Sequence, residues 1–231
     1  MTVPLPPLPP VSVSGEEGYR PGGRNLADIV DDEHRQLLDL ADRAGAPHGG
    51  RDGTDDGLDG DPAGAAAGLG RVVDVLTATV SRHLSAEEQY LFPTLRAALP
   101  QAGALVDREV AETAALLTAL KALTGPADPA LAEVSGRLRR HVAGVAALIT
   151  ELRRVSTDAE LIRLGNRWEI AEEAAPTRPH PGSPATPPWN RLVEPALGVV
   201  DKVRDAVTRR PTYVTDLDPA AGRPAGQRPP D

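Results

Sequence analysis

Four long stretches of this chain repeat small aliphatic residues every three or four positions, and that spacing is what most limits the folds open to it. Ile29, Val30, Leu37, Leu38 and Ala41 share one face of a helix predicted over about 26–43. Leu69, Val72, Val73, Leu76 and Val80 do the same over about 65–98, where Pro93 is expected to kink the helix near its end. A third helix, over about 104–123, turns Val106, Val110, Leu117 and Leu120 inward. A fourth, over about 130–155, turns in Leu131, Val134, Leu138, Val145, Leu148 and Leu152. Helices with one apolar stripe bury it against one another, so the chain reads as all-α, an up-down four-helix bundle.

Aromatic residues make up only 3% of the 231 positions against 40% hydrophobic, so the core must be Leu, Val, Ile and Ala, which suits helix-on-helix packing. The 24 Pro and 22 Gly do not fit helix interiors and fall to tails and connections. Residues 1–24 are Pro-rich and expected to be disordered. A bundle over 25–155 follows, interrupted by the Gly and Asp loop AGAPHGGRDGTDDGLDGDPAG and by GPADP. Residues 156–208 read as a C-terminal extension of one or two helices. Thr157 and Glu160 supply a capping box for a helix over about 158–174, and a Pro-rich link leads to another over about 190–208. Residues 209–231 are expected to be a disordered tail.

Several function classes fall away on composition. The absence of Cys removes disulfides, thiolate zinc sites and a Cys nucleophile. A net charge of −8 argues against a nucleic-acid groove, which needs a basic footprint. No apolar run is expected to reach the roughly 18–20 residues of a membrane span. MTVPLPPLPPVSVSG lacks the basic start and unbroken apolar core of a signal peptide, so a cytoplasmic protein is expected.

The polar exceptions on the inward stripes point to chemistry. His34 stands four residues from both Val30 and Leu38; His83 and Glu87 continue the stripe of Leu76 and Val80; His141 lies between Leu138 and Val145. A lone His on such a face is ordinarily a satisfied core residue. A buried Glu is harder to accommodate, because an unpaired carboxylate costs several kcal/mol to bury. Arg82 and Arg140 each precede a His and point about 100° away from it, so they are poor counter-ions. A metal cation would compensate the carboxylate and use the imidazoles as well. Glu33 and Glu88 neighbour these residues but lie off the stripe and read first as solvated charges, with hydrogen bonding to the ligands as the lesser reading. Tyr90 reads as a residue whose hydroxyl reaches the surface, and Trp168 and Trp189 as packing for the two C-terminal helices. His48 and His180 have no helical partners at metal spacing.

The segments DEHRQLL, from Asp32 to Leu38, and HLSAEEQYLFP, from His83 to Pro93, resemble the paired signatures of the hemerythrin-like, or HHE cation-binding, family. The resemblance covers about 25–155 and implies a four-helix bundle around a non-haem di-iron centre. It implies His34, His83, Glu87 and His141 as ligands. It also puts a third-helix His where this chain has Val110, and a fourth-helix carboxylate where it has Val145 or Ala146. Two ligand positions are therefore altered, and the resemblance implies one iron at most, held by a two-His, one-carboxylate set, in a role sensing or storing iron, oxygen or nitric oxide. The residues alone also allow a metal-free helical interaction module. An oxidative enzyme is the least favoured reading, because no positioned acid and base can be read from the chain. The stretch RPHPGSPATPPWNRLVEPALGVVDKVRDAVTRR resembles a C-terminal extension found on some members.

Overall fold

A computed structural model describes residues 22–46, 62–182 and 190–217, and the expectations for residues 1–21, for His48 with the loop around it, for Trp189 and for 218–231 lie outside these. Among the described residues every regular element is helical. The elements are α1 (Leu26–Gly45), α2 (Pro62–Ala86), a π turn (Glu87–Leu91), α3 (Phe92–Ala98), α4 (Gly103–Ala122), α5 (Ala130–Val155), α6 (Asp158–Ala174) and α7 (Asn190–Thr208). Short 3₁₀ turns lie at Pro100–Ala102 and Val214–Leu217. Helix α1 packs on α2 and α5, and α4 on α5 and α2, which closes the predicted four-membered ring.

Local chemistry sets the boundaries. The Asn25 side chain accepts from Ala27 N at 2.9 Å and caps α1. The Thr157–Glu160 capping box forms as read, with Thr157 N donating to Glu160 Oε2 at 2.8 Å and Glu160 N to Thr157 Oγ1 at 3.3 Å. The break expected at Pro93 is taken up upstream. Its ring crowds the carbonyl of Gln89, four residues back, and the chain answers with a π turn in which Phe92 N donates to Glu87 O. The helix then resumes with Pro93 in its first turn.

From Val73 to Leu91 only Asp74 and Tyr90 are less than fully buried. This corrects the reading of the chain's hydropathy: the helical run Ala63–Ala98 is long and apolar enough to cross a membrane by composition, an 18-residue window of it having a mean hydropathy of 1.3. In the fold its apolar residues fill the bundle instead. Helix α5 buries all six residues assigned to its stripe. Helix α4 is turned by about one residue from expectation and buries Val106, Glu109, Thr113, Leu116 and Leu120, while Val110 and Leu117 are only partly buried.

The core has two apolar parts. One is built on Ile29, Val30, Phe92, Leu95, Val106, Val145 and Leu152; the other on Leu37, Leu40, Leu76, Val80, Leu84, Leu116 and Leu138. On α1, α4 and α5 the buried polar residues lie in sequence between these two sets, His34 on α1, Glu109 and Thr113 on α4 and His141 on α5, while on α2 and the π turn His83 and Glu87 flank the changeover from Leu84 to Ala86. The bundle is thus two apolar plugs with a polar layer between them.

The C-terminal extension covers the face of α1 and α2. Gly165 lets α6 approach the start of α1 so closely that a Cβ there would collide with the Arg24 carbonyl. Helix α7 is held through buried Asp201 and Asp205: Asp201 accepts from Arg178 N at 3.0 Å and lies 3.0 Å from His180 Nε2, and Asp205 pairs with Arg178 at 2.5 Å. Residues 209–217, expected as the start of a disordered tail, are ordered. Arg209, with φ of 52°, ends α7, and Arg210 then reaches Asp74 Oδ1 at 2.8 Å and Thr177 O at 3.1 Å. Tyr213 lies over the Arg82 guanidinium at 4.5 Å, and Val214 and Leu217 pack on the second plug. Polar clamps order this segment, and they leave no periodic signal in the sequence.

Candidate metal centre

The four residues singled out on the inward stripes meet in the polar layer. His83 and His141 are fully buried, as is Glu87, and His34 is 4% exposed. Each offers one nitrogen or oxygen atom within 4.8 Å of all the others. The Glu87 carboxylate is the hub: Oε1 lies 3.4 Å from His83 Nε2 and 3.9 Å from His34 Nε2, and Oε2 lies 3.1 Å from His141 Nε2. The imidazoles stand edge to face around it, with centroids 4.9 Å apart for His34 and His83, 5.9 Å for His34 and His141, and 6.3 Å for His83 and His141.

None of these contacts is a formed hydrogen bond. His34 Nε2, His83 Nε2, both Glu87 oxygens and both His141 nitrogens are buried without a partner. So many orphaned polar atoms around one point would be costly, at roughly 1–3 kcal/mol each, unless a further group satisfies them. A tetrahedral ion with bonds of about 2.1 Å holds its ligands about 3.4 Å apart; the imidazole nitrogens lie 3.1–3.9 Å from the Glu87 oxygens and all four donors within 4.8 Å, so the set fits a cation after small side-chain shifts.

Electrostatics bears on the same atoms. Burial would raise the Glu87 carboxyl, but His141 and His83 outweigh it and hold Glu87 well below the ordinary carboxylate range. Burial would lower His83, yet Glu87 and Glu33 on either side push it up to about 10. For His34 burial prevails and lowers it, with the other two imidazoles assisting against Glu87.

Three further residues belong to the layer; the sequence reading missed Glu109 and Thr113 and gave hydrogen bonding by Glu33 only second place. Glu33 is no solvated charge: its Oε2 is 2.7 Å from His83 Nδ1 and its Oε1 accepts from Trp168 Nε1 at 3.1 Å. Glu109 is 6% exposed, and its Oε2 lies 4.0 Å from His141 Nδ1. Thr113 is fully buried with its hydroxyl unpartnered. Glu88 is also buried, so the solvated reading fails for it as well. Tyr90 is partly buried against the first plug. Arg82 behaves as expected and turns away from the imidazoles, donating to Thr212 O at 2.9 Å.

A signal for Glu109 was present in Gly144. Glycine in the middle of a helix costs about 1 kcal/mol relative to Ala, so it asks for a reason. Here the reason is room, because a Cβ on Gly144 would collide with the Glu109 carboxylate.

An all-helical bundle whose buried layer gathers three imidazoles and a carboxylate around a common point defines a cation-binding helical protein. The family comparison agrees: the model of the hemerythrin HHE cation binding domain matches residues 25–163, and the chain belongs to that family. The match runs past the bundle into α6 and stops before Trp168. No curated protein and no solved structure matches the chain.

Proposed function

We propose that the chain binds a single non-haem iron through His34, His83, Glu87 and His141, and that it senses or stores iron or a diatomic ligand such as oxygen or nitric oxide. The observation that carries this reading is the set of six buried, unpartnered donor atoms on those four residues. Imidazole and carboxylate together suit iron among the divalent metals, and four protein donors leave positions for a small ligand on a metal that accepts more. Val145 is fully buried in apolar surroundings, so the second half of the layer lacks the carboxylate that would bridge to another iron.

One observation favours the metal-free reading. His83, held protonated between Glu33 and Glu87, gives the layer an internal counter-charge without a cation. Metal content separates the two. Anaerobic reconstitution with Fe(II) is expected to give about one iron per chain, and His83→Ala to give none, because too few ligands remain. Wild-type protein that takes up no iron under these conditions supports the interaction module instead.

A further inference from the structure

The C-terminal extension reaches the metal layer through one hydrogen-bonded chain. Trp168, the largest fully buried side chain among the described residues, lies beyond the residues that match the family. Its indole Nε1 donates to Glu33 Oε1 at 3.1 Å, Glu33 Oε2 meets His83 Nδ1 at 2.7 Å, and His83 Nε2 faces Glu87. The indole also stands edge-on to the His83 ring, with centroids 5.3 Å apart. We propose that Trp168 is a positioning residue for His83, acting through Glu33, so that α6 is a working part of the metal site and not a passive cover. This rests on the metal reading given above.

The argument is one of tautomer and orientation. A ligating His presents its lone pair in a fixed direction only when its other ring nitrogen donates to an acceptor. Glu33 is that acceptor, and it holds Nε2 toward the cluster. Glu33 itself needs fixing, because its carboxylate is 15% exposed and lines a cavity of about 470 Å³ that also contains Asp32, Glu169 and Glu172. Arg24 and Arg82 line the same cavity as these carboxyl groups, so Glu33 has competing partners on that side and no single pose. The Trp168 N–H is the fixed donor that occupies its second oxygen. Trp168 is anchored in turn, since α6 sits against the Arg24 carbonyl at Gly165 and Asn166 Nδ2 donates to Gly22 O at 3.0 Å. Helix α7 is joined to α6 by the Lys202 to Glu173 pair at 2.9 Å. Coupling of this kind is reciprocal: if α6 improves metal binding, bound metal tightens the docking of α6 by the same factor.

The test uses the full chain as wild type, Trp168→Phe, Glu33→Gln and His83→Ala, with Co(II) as the probe. Co(II) affinity and visible absorption are measured by titration, and the His83 ring N–H signal of the metal-free proteins by NMR. Trp168→Phe keeps an aromatic ring and loses the donor; Glu33→Gln keeps the volume and cannot accept from both neighbours. Both are expected to weaken Co(II) binding about 10- to 100-fold, to alter the Co(II) absorption bands, and to move the His83 N–H signal. Should Trp168→Phe fold poorly, Glu33→Gln reads the same chain without a loss of packing. Co(II) binding as tight as wild type in Trp168→Phe overturns the proposal, whether or not Glu33→Gln is impaired. If wild type binds no Co(II), the metal reading falls; a His83 signal that still moves in Trp168→Phe then leaves the positioning role standing, and an unmoved one removes it as well.

Discussion

The two halves of this bundle start from one pattern and finish differently. In each, the second helix carries an Arg-His pair, Arg82-His83 or Arg140-His141, and the first helix sends a carboxylate toward that His from one residue before the aligned position, Glu33 before His34 and Glu109 before Val110. The α1–α2 half completes the arrangement. His34 joins His83, Glu87 stands one turn on, and Glu33 is within hydrogen-bond distance of His83 Nδ1. In the α4–α5 half, Val110 is only partly buried, Val145 is apolar core, and Glu109 stops 4.0 Å short of His141. The layer is thus built from two unequal halves: one brings two imidazoles and the carboxylate, and that carboxylate meets a third imidazole from the other.

Restoring the missing carboxylate tests this comparison with the largest effect. Val145→Glu buries a new charge in the first apolar plug and is expected to cost on the order of 3–5 kcal/mol in metal-free protein, read as a drop in denaturant midpoint. If the second half lacks only this group, Fe(II) at 100 times its Kd should return about 2.7 kcal/mol beyond the gain seen in wild type. No metal-dependent recovery in this variant or in Val110→His with Val145→Glu would mark Val145 as an ordinary core residue.

The completed half also carries a cost that can be titrated. Burial and the neighbouring Glu33 charge raise Glu172 from 4.5 to about 7. The folded state thus holds this proton more tightly than the unfolded one, and its contribution is full below 4.5 and lost as pH rises from 4.5 through 7. Glu172→Gln should remove that loss and raise stability at pH 8 by up to about 3 kcal/mol, while changing little at pH 4. Equal effects at both values would show that Glu172 does not titrate against Glu33.

The smallest expected effect concerns the fit of Glu109. On an ordinary helix Gly144→Ala stabilises by about 1 kcal/mol. Here the added methyl must displace the Glu109 carboxylate, the far end of a flexible side chain, so the gain should shrink to about zero. In a Glu109→Ala background the same change should revert to stabilising, and a double-mutant cycle in urea measures the difference.

Much of this layer was legible before the fold was known, and the failures have physical causes. The stripe on α5 was read residue for residue, since Leu131, Val134, Leu138, Val145, Leu148 and Leu152 leave its phase unambiguous. The phase of α4 slipped by about one position because AETAALLTAL is so rich in Ala that its period does not choose between Val110 and Glu109 for the inward face. Glu33 was misread because its partner Trp168 lies 135 residues away on a helix outside the bundle, which no local spacing can reveal. The ordered segment at 209–217 was invisible for a similar reason: Arg210 finds Asp74 across the fold.

The most direct measurement is anomalous scattering at the iron edge from crystals grown with Fe(II). A single peak is expected, about 2.0–2.2 Å from His34, His83 and His141 nitrogens and from the Glu87 carboxylate. Two peaks, the second against Glu109 and His141, would contradict the unequal halves. No peak in the polar layer would contradict the metal site itself.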